Sequence, residues 1–257
     1  MSTISRRVVL TGISGLPIAA RLIALSRAAL ADTNLETVSL KTPSGRTVSG
    51  VVAAPTTVPA PTLLLIHGGS GLIDLVKSFA TNFAHEGFFT AALDLFDGQI
   101  ATDDAMRTYL QQKVYENPKK AIETISAWIE WLKAEPRSNR RIGLVGWSFG
   151  AEWALTGSTA TPVEATVIYV GVTFQQAEDF AHLKGPVLGH FGEMDSLVRK
   201  SAVEQFQARM KEAGKSADVY WYPGDHFFPF PNRPSYDKAS ADAAWSRTVQ
   251  FLRTNLQ

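Results

Sequence analysis

The sequence predicts an α/β protein with a mostly parallel central sheet and helices on both faces. Three observations carry this expectation. Short continuous apolar runs suit strands buried on both faces, and amphipathic stretches at helical spacing alternate with them. The 257 residues, 45% of them hydrophobic, are enough to bury one full core without division. Such alternation implies βαβ units with right-handed crossovers.

The expected elements follow in chain order. Residues 35–40 and 47–53 alternate in polarity around Pro43-Ser44-Gly45, the pattern of an N-terminal β-hairpin. A Pro-rich stretch over 55–61 ends it. Residues 62–66 form an apolar strand that stops at His67-Gly68-Gly69. Helical spacing covers 72–86, and a second apolar run covers 88–93. Residues 118–134 carry Ile122, Ile125, Ile129 and Leu132 at helical intervals. Residues 141–147, 165–169, 186–191 and 217–222 read as four further strands, with helices near 149–157, 197–213 and 240–256. The least regular interval, 96–117, reads as a small lid, and the short segment after Tyr169 leaves little room for a large cap domain.

The N-terminus reads separately. Ser5-Arg6-Arg7-Val8-Val9-Leu10 puts two arginines ahead of an apolar stretch over 8–20, and Ala29-Leu30-Ala31 supplies small residues at a cleavage position. That is the pattern of a signal peptide, and the paired arginines resemble the twin-arginine (Tat) type. Residues 1–31 are thus expected to be a signal cleaved before Asp32, with residues 32–257 as a single domain. The Tat export machinery is then a partner, and the destination is periplasmic or extracellular. The alternatives are an amphipathic helix or a membrane anchor. Against an anchor, Arg21 and Arg27, with Gly12, Gly15 and Pro17, break any run near the roughly 20 apolar residues of a bilayer span.

Composition narrows the function. The formal net charge is +1 and no basic stripe is interleaved with aromatics, so nucleic acid is not an expected partner. The absence of cysteine excludes disulfides, thiolate metal sites and lipidated-cysteine anchors. No two of the five histidines have metal-ligand spacing, and neither a metal nor a cofactor is expected.

The most informative segment is Leu144-Val145-Gly146-Trp147-Ser148-Phe149-Gly150-Ala151, a G-x-S-x-G pattern where an apolar strand gives way to a helix. A nucleophile on such a turn needs small neighbours at Gly146 and Gly150 so that the turn packs and the hydroxyl projects. A serine hydroxyl is a weak nucleophile and needs a base oriented by an acid. Along the chain, Gly192-Glu193-Met194-Asp195 follows a strand and offers Asp195 as the acid, with Glu193 as the alternative. Trp221-Tyr222-Pro223-Gly224-Asp225-His226 then offers His226 as the base. The order Ser, acid, His is that of the α/β-hydrolase fold. His67, at a strand end, and His85 and His182, in helical stretches, read as surface or packing residues, and His190, within an apolar strand, as a core histidine. A tetrahedral intermediate needs N–H donors at its oxyanion. Phe149 supplies one, and Gly69 the other, with Ser70 as its alternative.

From about Thr47 onward the chain resembles the dienelactone hydrolase family. The resemblance is carried by Gly146 to Gly150, by Phe191-Gly192-Glu193-Met194-Asp195, by Tyr222-Pro223-Gly224-Asp225-His226-Phe227, and by a tail running from Tyr236-Asp237 through Ala244-Trp245 to Phe251-Leu252. It implies the α/β-hydrolase fold and hydrolysis of an ester or lactone. Two departures agree with each other: the family's elbow cysteine is Ser148 here, and its glutamate near the first oxyanion loop is Gly68. An alcohol nucleophile relies on the triad histidine and has no use for a group that governs a thiol. The positions of the family's substrate-carboxylate arginines match Gly98 and Phe230, so dienelactone itself is not expected as substrate, although Arg233 is available. Trp147, Phe227, Phe228 and Phe230 are the expected substrate-binding residues, and their apolar character favours an uncharged group.

The expected activity is ester or lactone hydrolysis through an acyl-enzyme, on a small-molecule substrate. The alternatives are peptide, amide or thioester hydrolysis on the same triad, and an exported binding protein of the same fold without turnover. The latter would lack a triad member, and none is missing.

Overall fold

The computed structural model describes residues 35–173 and 175–257. The signal-peptide expectation for residues 1–31 lies outside the described residues. Among the described residues, eight strands form one sheet: β1 (Glu36–Lys41), β2 (Thr47–Ala53), β3 (Ala60–Ile66), β4 (Phe89–Leu93), β5 (Ser138–Trp147), β6 (Ala165–Tyr169), β7 (Val187–Gly192) and β8 (Ala217–Tyr222). Their spatial order is β1-β2-β4-β3-β5-β6-β7-β8. The hairpin β1–β2 joins the sheet by an antiparallel pairing of β2 with β4. Every pairing from β4 onward is parallel.

Strand β3 shows why the central strands are apolar throughout. Leu64 and Ile66 pack into the core on one face, while Leu63 and Leu65 pack into the core on the other. Side chains alternate across a strand, so a sheet covered on both faces needs apolar residues at every position. One face is covered by Ile125, Trp128, Ile129 and Leu132 of the helix Pro118–Ala134 and by Trp153 and Ala154 of the helix Phe149–Ala160. The other is covered by Val76, Ala80 and Phe83 of the helix Asp74–His85 and by Ala244, Val249, Leu252 and Leu256 of the helix Lys238–Leu256. Toward the β8 edge, Val203, Phe206 and Met210 of the helix Lys200–Glu212 pack on Ile168, Val187 and Phe191.

Two local expectations are corrected. The interval 96–117 contains a helix, Asp104–Tyr115, started by Asp103, whose side chain accepts a hydrogen bond from Met106 N at 2.8 Å. Its buried residues are Leu110 and Val114, so its apolar periodicity is faint in the sequence. His182 lies in a turn after the short helix Ala177–Phe180 rather than within a helix. His190 is fully buried in β7 and satisfied on both ring nitrogens, by Tyr222 Oη and Thr248 Oγ1, each at 2.9 Å.

Candidate active site

The carboxyl ends of parallel strands are where open α/β sheets build their sites. Here β5, β7 and β8 end respectively at Ser148, at the loop of Asp195 and at the loop of His226. Ser148 sits between strand and helix with φ 53° and ψ −117°, a conformation that costs a non-glycine residue about 1–3 kcal/mol. The turn is held by Ser148 N donating to Tyr169 O at 2.8 Å and Ala151 N donating to Ser148 O at 2.9 Å. It also requires its glycines. A Cβ on Gly146 would stand 2.0 Å from Gly150 O, and one on Gly150 would stand 2.2 Å from Ile66 O.

The three predicted catalytic side chains converge. Ser148 Oγ is 2.9 Å from His226 Nε2, and His226 Nδ1 is 2.8 Å from Asp195 Oδ2. Asp195 is held from its other oxygen, which accepts Leu197 N at 2.8 Å and Val198 N at 2.9 Å. Both partners of the base are thus fixed, and Asp195 and His226 are nearly buried. Glu193, the alternative acid, is exposed in the turn before Asp195, where its N–H donates to Tyr222 O at 2.8 Å. The loop of His226 is braced by Asp225, whose Oδ1 accepts Phe227 N at 2.7 Å and Ser235 Oγ at 2.9 Å.

Ser148 and His226 open on a cavity of about 230 Å³. Gly68, Gly69 and Ser70 form one wall beside the nucleophile. Phe149 is the first residue of its helix, so its N–H has no acceptor within that helix and is free to serve an oxyanion. The Phe149 ring points elsewhere, packing among Phe96, Tyr115 and Trp153. Trp147, Phe227 and Phe230 line the cavity, with Trp147 stacked between Phe79 at 4.9 Å and Tyr169 at 5.6 Å.

Phe228 does not line it, contrary to the sequence expectation. Its ring is fully buried in the core, stacked 5.0 Å from Tyr222. The turn that follows His226 sends Phe227 and Phe230 toward the cavity and Phe228 inward.

Beyond the aromatic residues expected from the sequence, the lining is polar in part. Arg107 and Gln111, one turn apart on the helix Asp104–Tyr115, line the cavity together with Arg233 and Asn232, and no carboxylate is among its lining residues. Arg107 is paired with the exposed Asp104. Arg233 lies with its guanidinium 4.8 Å over the Phe227 ring. Sequence reasoning missed Arg107 because it lies on a helix that was not expected, far along the chain from any triad residue. Behind the Gly68–Gly69 turn, burial pushes the Asp94 carboxyl upward, while the N–H groups of Phe96 and Gly98 that donate to it pull the other way, and the carboxyl ends below the usual carboxylate range. Among the described residues, no group of three His, Asp or Glu gathers that could hold a metal ion, and no helix is long and apolar enough to cross a membrane.

Comparison with known proteins gives consistent results. The family model described as the dienelactone hydrolase family matches residues 48–256. The chain is 23% identical over 223 residues to carboxymethylenebutenolidase 1 of Cupriavidus pinatubonensis, covering 84% of this chain and 95% of that protein. It is 26% identical over 222 residues to the protein usf of Aquifex pyrophilus, covering 83% and 96% respectively. Among solved structures, a dienelactone hydrolase-like promiscuous phosphotriesterase from metagenomic libraries superposes with a TM-score of 0.78 at 19% identity, over 87% of this chain and 99% of that one. The fold is therefore that of the α/β-hydrolases, with a mostly parallel sheet of eight strands and no large cap.

Proposed function

The chain belongs to the dienelactone hydrolase family, and from that premise we propose that it is a serine hydrolase of esters or lactones. The observation that carries the reading is the hydrogen-bonded series Ser148–His226–Asp195 at the mouth of a cavity. In the proposed reaction, Ser148 Oγ attacks the substrate carbonyl carbon while its proton passes to His226 Nε2. The N–H groups of Gly69 and Phe149 stabilise the resulting oxyanion. The C–O bond to the leaving group then breaks, and His226 returns the proton to that oxygen. Water, deprotonated by the same histidine, releases the acid and restores Ser148. Asp195 holds the ring and stabilises its charged form without itself taking the proton.

The substrate-charge expectation is revised in this reading. Arg233, which no carboxylate of the cavity wall faces, and Arg107, whose carboxylate partner Asp104 is exposed outside the lining, favour an ester or lactone bearing an anionic group. The relative's name, carboxymethylenebutenolidase, is in keeping with such a substrate. Export is also part of the proposal, from Arg6, Arg7 and the Ala29-Leu30-Ala31 segment.

Fluorophosphonate labelling with peptide mapping tests the nucleophile: the adduct is expected on Ser148 and absent from Ser148→Ala. Substrate charge is tested by kcat/KM for a matched neutral and anionic ester pair. Arg233→Gln or Arg107→Gln should cut the preference for the anion by about 10-fold or more, the scale of one charge-assisted hydrogen bond. A neutral preference in the unsubstituted enzyme would overturn the charge assignment alone. N-terminal sequencing of exported protein should begin at Asp32, and intact Met1 or Ser2 outside the cytoplasm would refute cleavage.

A further inference from the structure

We infer that His67 is a positioning residue for the oxyanion hole: it clamps the peptide group between Gly68 and Gly69 so that the Gly69 N–H faces the reacting carbonyl. The inference rests on the serine-hydrolase reading above. Gly68 O and Gly69 N–H belong to one planar trans peptide, so they point in opposite directions, and fixing one aims the other. Gly68 O is 2.7 Å from His67 Nδ1. Two successive glycines leave this peptide with wide conformational freedom of its own, and its other hold, a longer hydrogen bond of 3.2 Å that Gly68 O accepts from Gly71 N, comes from a third glycine, so the imidazole is the closer of the two holds.

The clamp is itself fixed. His67 is fully buried, with Phe96 edge-on at 4.6 Å and Phe149 stacked at 6.1 Å. Its Nε2 accepts a hydrogen bond from Leu95 N at 3.0 Å, while Asp94 Oδ1 stands 3.7 Å from the same nitrogen, beyond hydrogen-bond reach, so Nδ1 is the nitrogen that carries the proton and donates to Gly68 O. Leu95 is in turn held by the turn after β4, where the Asp94 carboxylate accepts Phe96 N at 2.8 Å and also Gly98 N. The clamped peptide lies beside the nucleophile: a Cβ on Gly68 would stand 3.3 Å from Trp147 O, and Gly68, Gly69 and Ser148 line the same cavity. Phe149, source of the second N–H, packs against the same imidazole, so both donors are referenced to one ring. A histidine directly ahead of two glycines at the end of a strand was the sequence signal. Read as a surface or packing residue, it gave no hint of its two hydrogen bonds.

The experiment compares His67→Phe and His67→Asn. Phenylalanine keeps the ring packing between Phe96 and Phe149 but has no donor. Asparagine loses ring volume yet carries an NH₂ where the imidazole carries Nδ1. If His67 aims the oxyanion donor, His67→Phe should lower kcat about 10- to 100-fold with KM nearly unchanged, up to the scale of losing one such donor. His67→Asn should recover most of that loss. A role in packing alone predicts the reverse ranking, with the phenylalanine variant near full activity, and that result would overturn the inference. Should His67→Phe fail to fold, long-range ¹H–¹⁵N spectra of the unsubstituted protein decide the matter. Nδ1 is expected to carry the proton and Nε2 to be bare, and a protonated Nε2 with bare Nδ1 would overturn the clamp. Failure of the parent reading is distinguishable, because the unsubstituted enzyme would then not be labelled at Ser148 by a fluorophosphonate.

Discussion

In an Asp195→Asn variant the amide has only one comfortable orientation. The present Oδ1 accepts two backbone N–H groups, from Leu197 and Val198, so the amide oxygen must stay there and the NH₂ must face His226 Nδ1. An NH₂ can only donate, which forces the imidazole proton onto Nε2, where it blocks acceptance of the Ser148 proton. Turning the amide over would restore the tautomer but set the two part-buried N–H groups against an NH₂, at roughly 1–3 kcal/mol each. The productive arrangement is then populated about 30- to 20,000-fold less, since each 1.4 kcal/mol is a factor of 10. We therefore expect kcat to fall about 10³-fold with an unchanged melting profile, because the loop contacts of Asp195 survive. Steady-state hydrolysis of an aryl ester by the purified protein, against an exposed-site control Glu193→Gln, measures this. A loss under about 10-fold in Asp195→Asn, or an equal loss in Glu193→Gln, would refute the assignment of the acid.

Four further outcomes are expected. Ser148→Ala and His226→Ala should each lower kcat by about 10⁴ to 10⁶, and the double variant should be scarcely worse, since the two act as one unit; multiplied losses would separate them. Phe228→Ala should cost about 3–5 kcal/mol in urea unfolding with KM unchanged, while Phe227→Ala should raise KM and leave stability nearly intact. Burial, and secondarily the charge of Arg247, depress His190 from 6.5 to about 3. The unfolded chain therefore binds this proton first on acidification, so stability is full above about pH 6.5 and falls toward pH 3; between pH 7 and 5 the unsubstituted protein should lose about 2 kcal/mol more than His190→Gln, and equal losses would refute it. In Gly150→Ala the new methyl would meet the main-chain oxygens of Ile66 and His67 at 2.2 and 2.4 Å, and a loss of about 3 kcal/mol or more is expected in thermal unfolding.

Burial on both faces made a central strand such as β6 legible as a short, mostly apolar run, whereas the edge strand β8 was legible from its alternation of exposed and half-buried positions. The stretches 165–169 and 217–222 agree with β6 and β8 to the residue, and 118–134 with its helix. The helix Asp104–Tyr115 escaped because its buried residues, Leu110 and Val114, leave little amphipathic pattern. The order of Ser148, Asp195 and His226 was readable because each follows a strand end, and strand ends are local events. Which side chains line the cavity was not, since a run such as Phe227-Phe228-Pro229-Phe230 carries no mark of the turn that buries Phe228 and exposes its neighbours to the cavity. The arginines were sought at family-matched positions, whereas Arg107 arrives from a different helix.

The helix Asp104–Tyr115 adds to the cavity a wall that does not come from the strand ends. It rests on the body through Leu110 and Val114 and through Tyr115, whose ring packs on Phe149 and Trp153 and whose hydroxyl donates to Glu152, and it lends Arg107 and Gln111 to the cavity, while Ser148, Asp195 and His226 stand on loops anchored in the parallel sheet. Arg107 and Gln111 thus reach the cavity from a different part of the chain than Arg233, which shares the loop of His226. Exchanging Arg107 and Gln111 alone for other polar side chains would alter the share of charge selectivity that this helix contributes and leave the Tyr115 contact with Phe149 in place. For a lineage faced with new esters, that makes part of any altered selectivity a matter of changing two side chains on one helix.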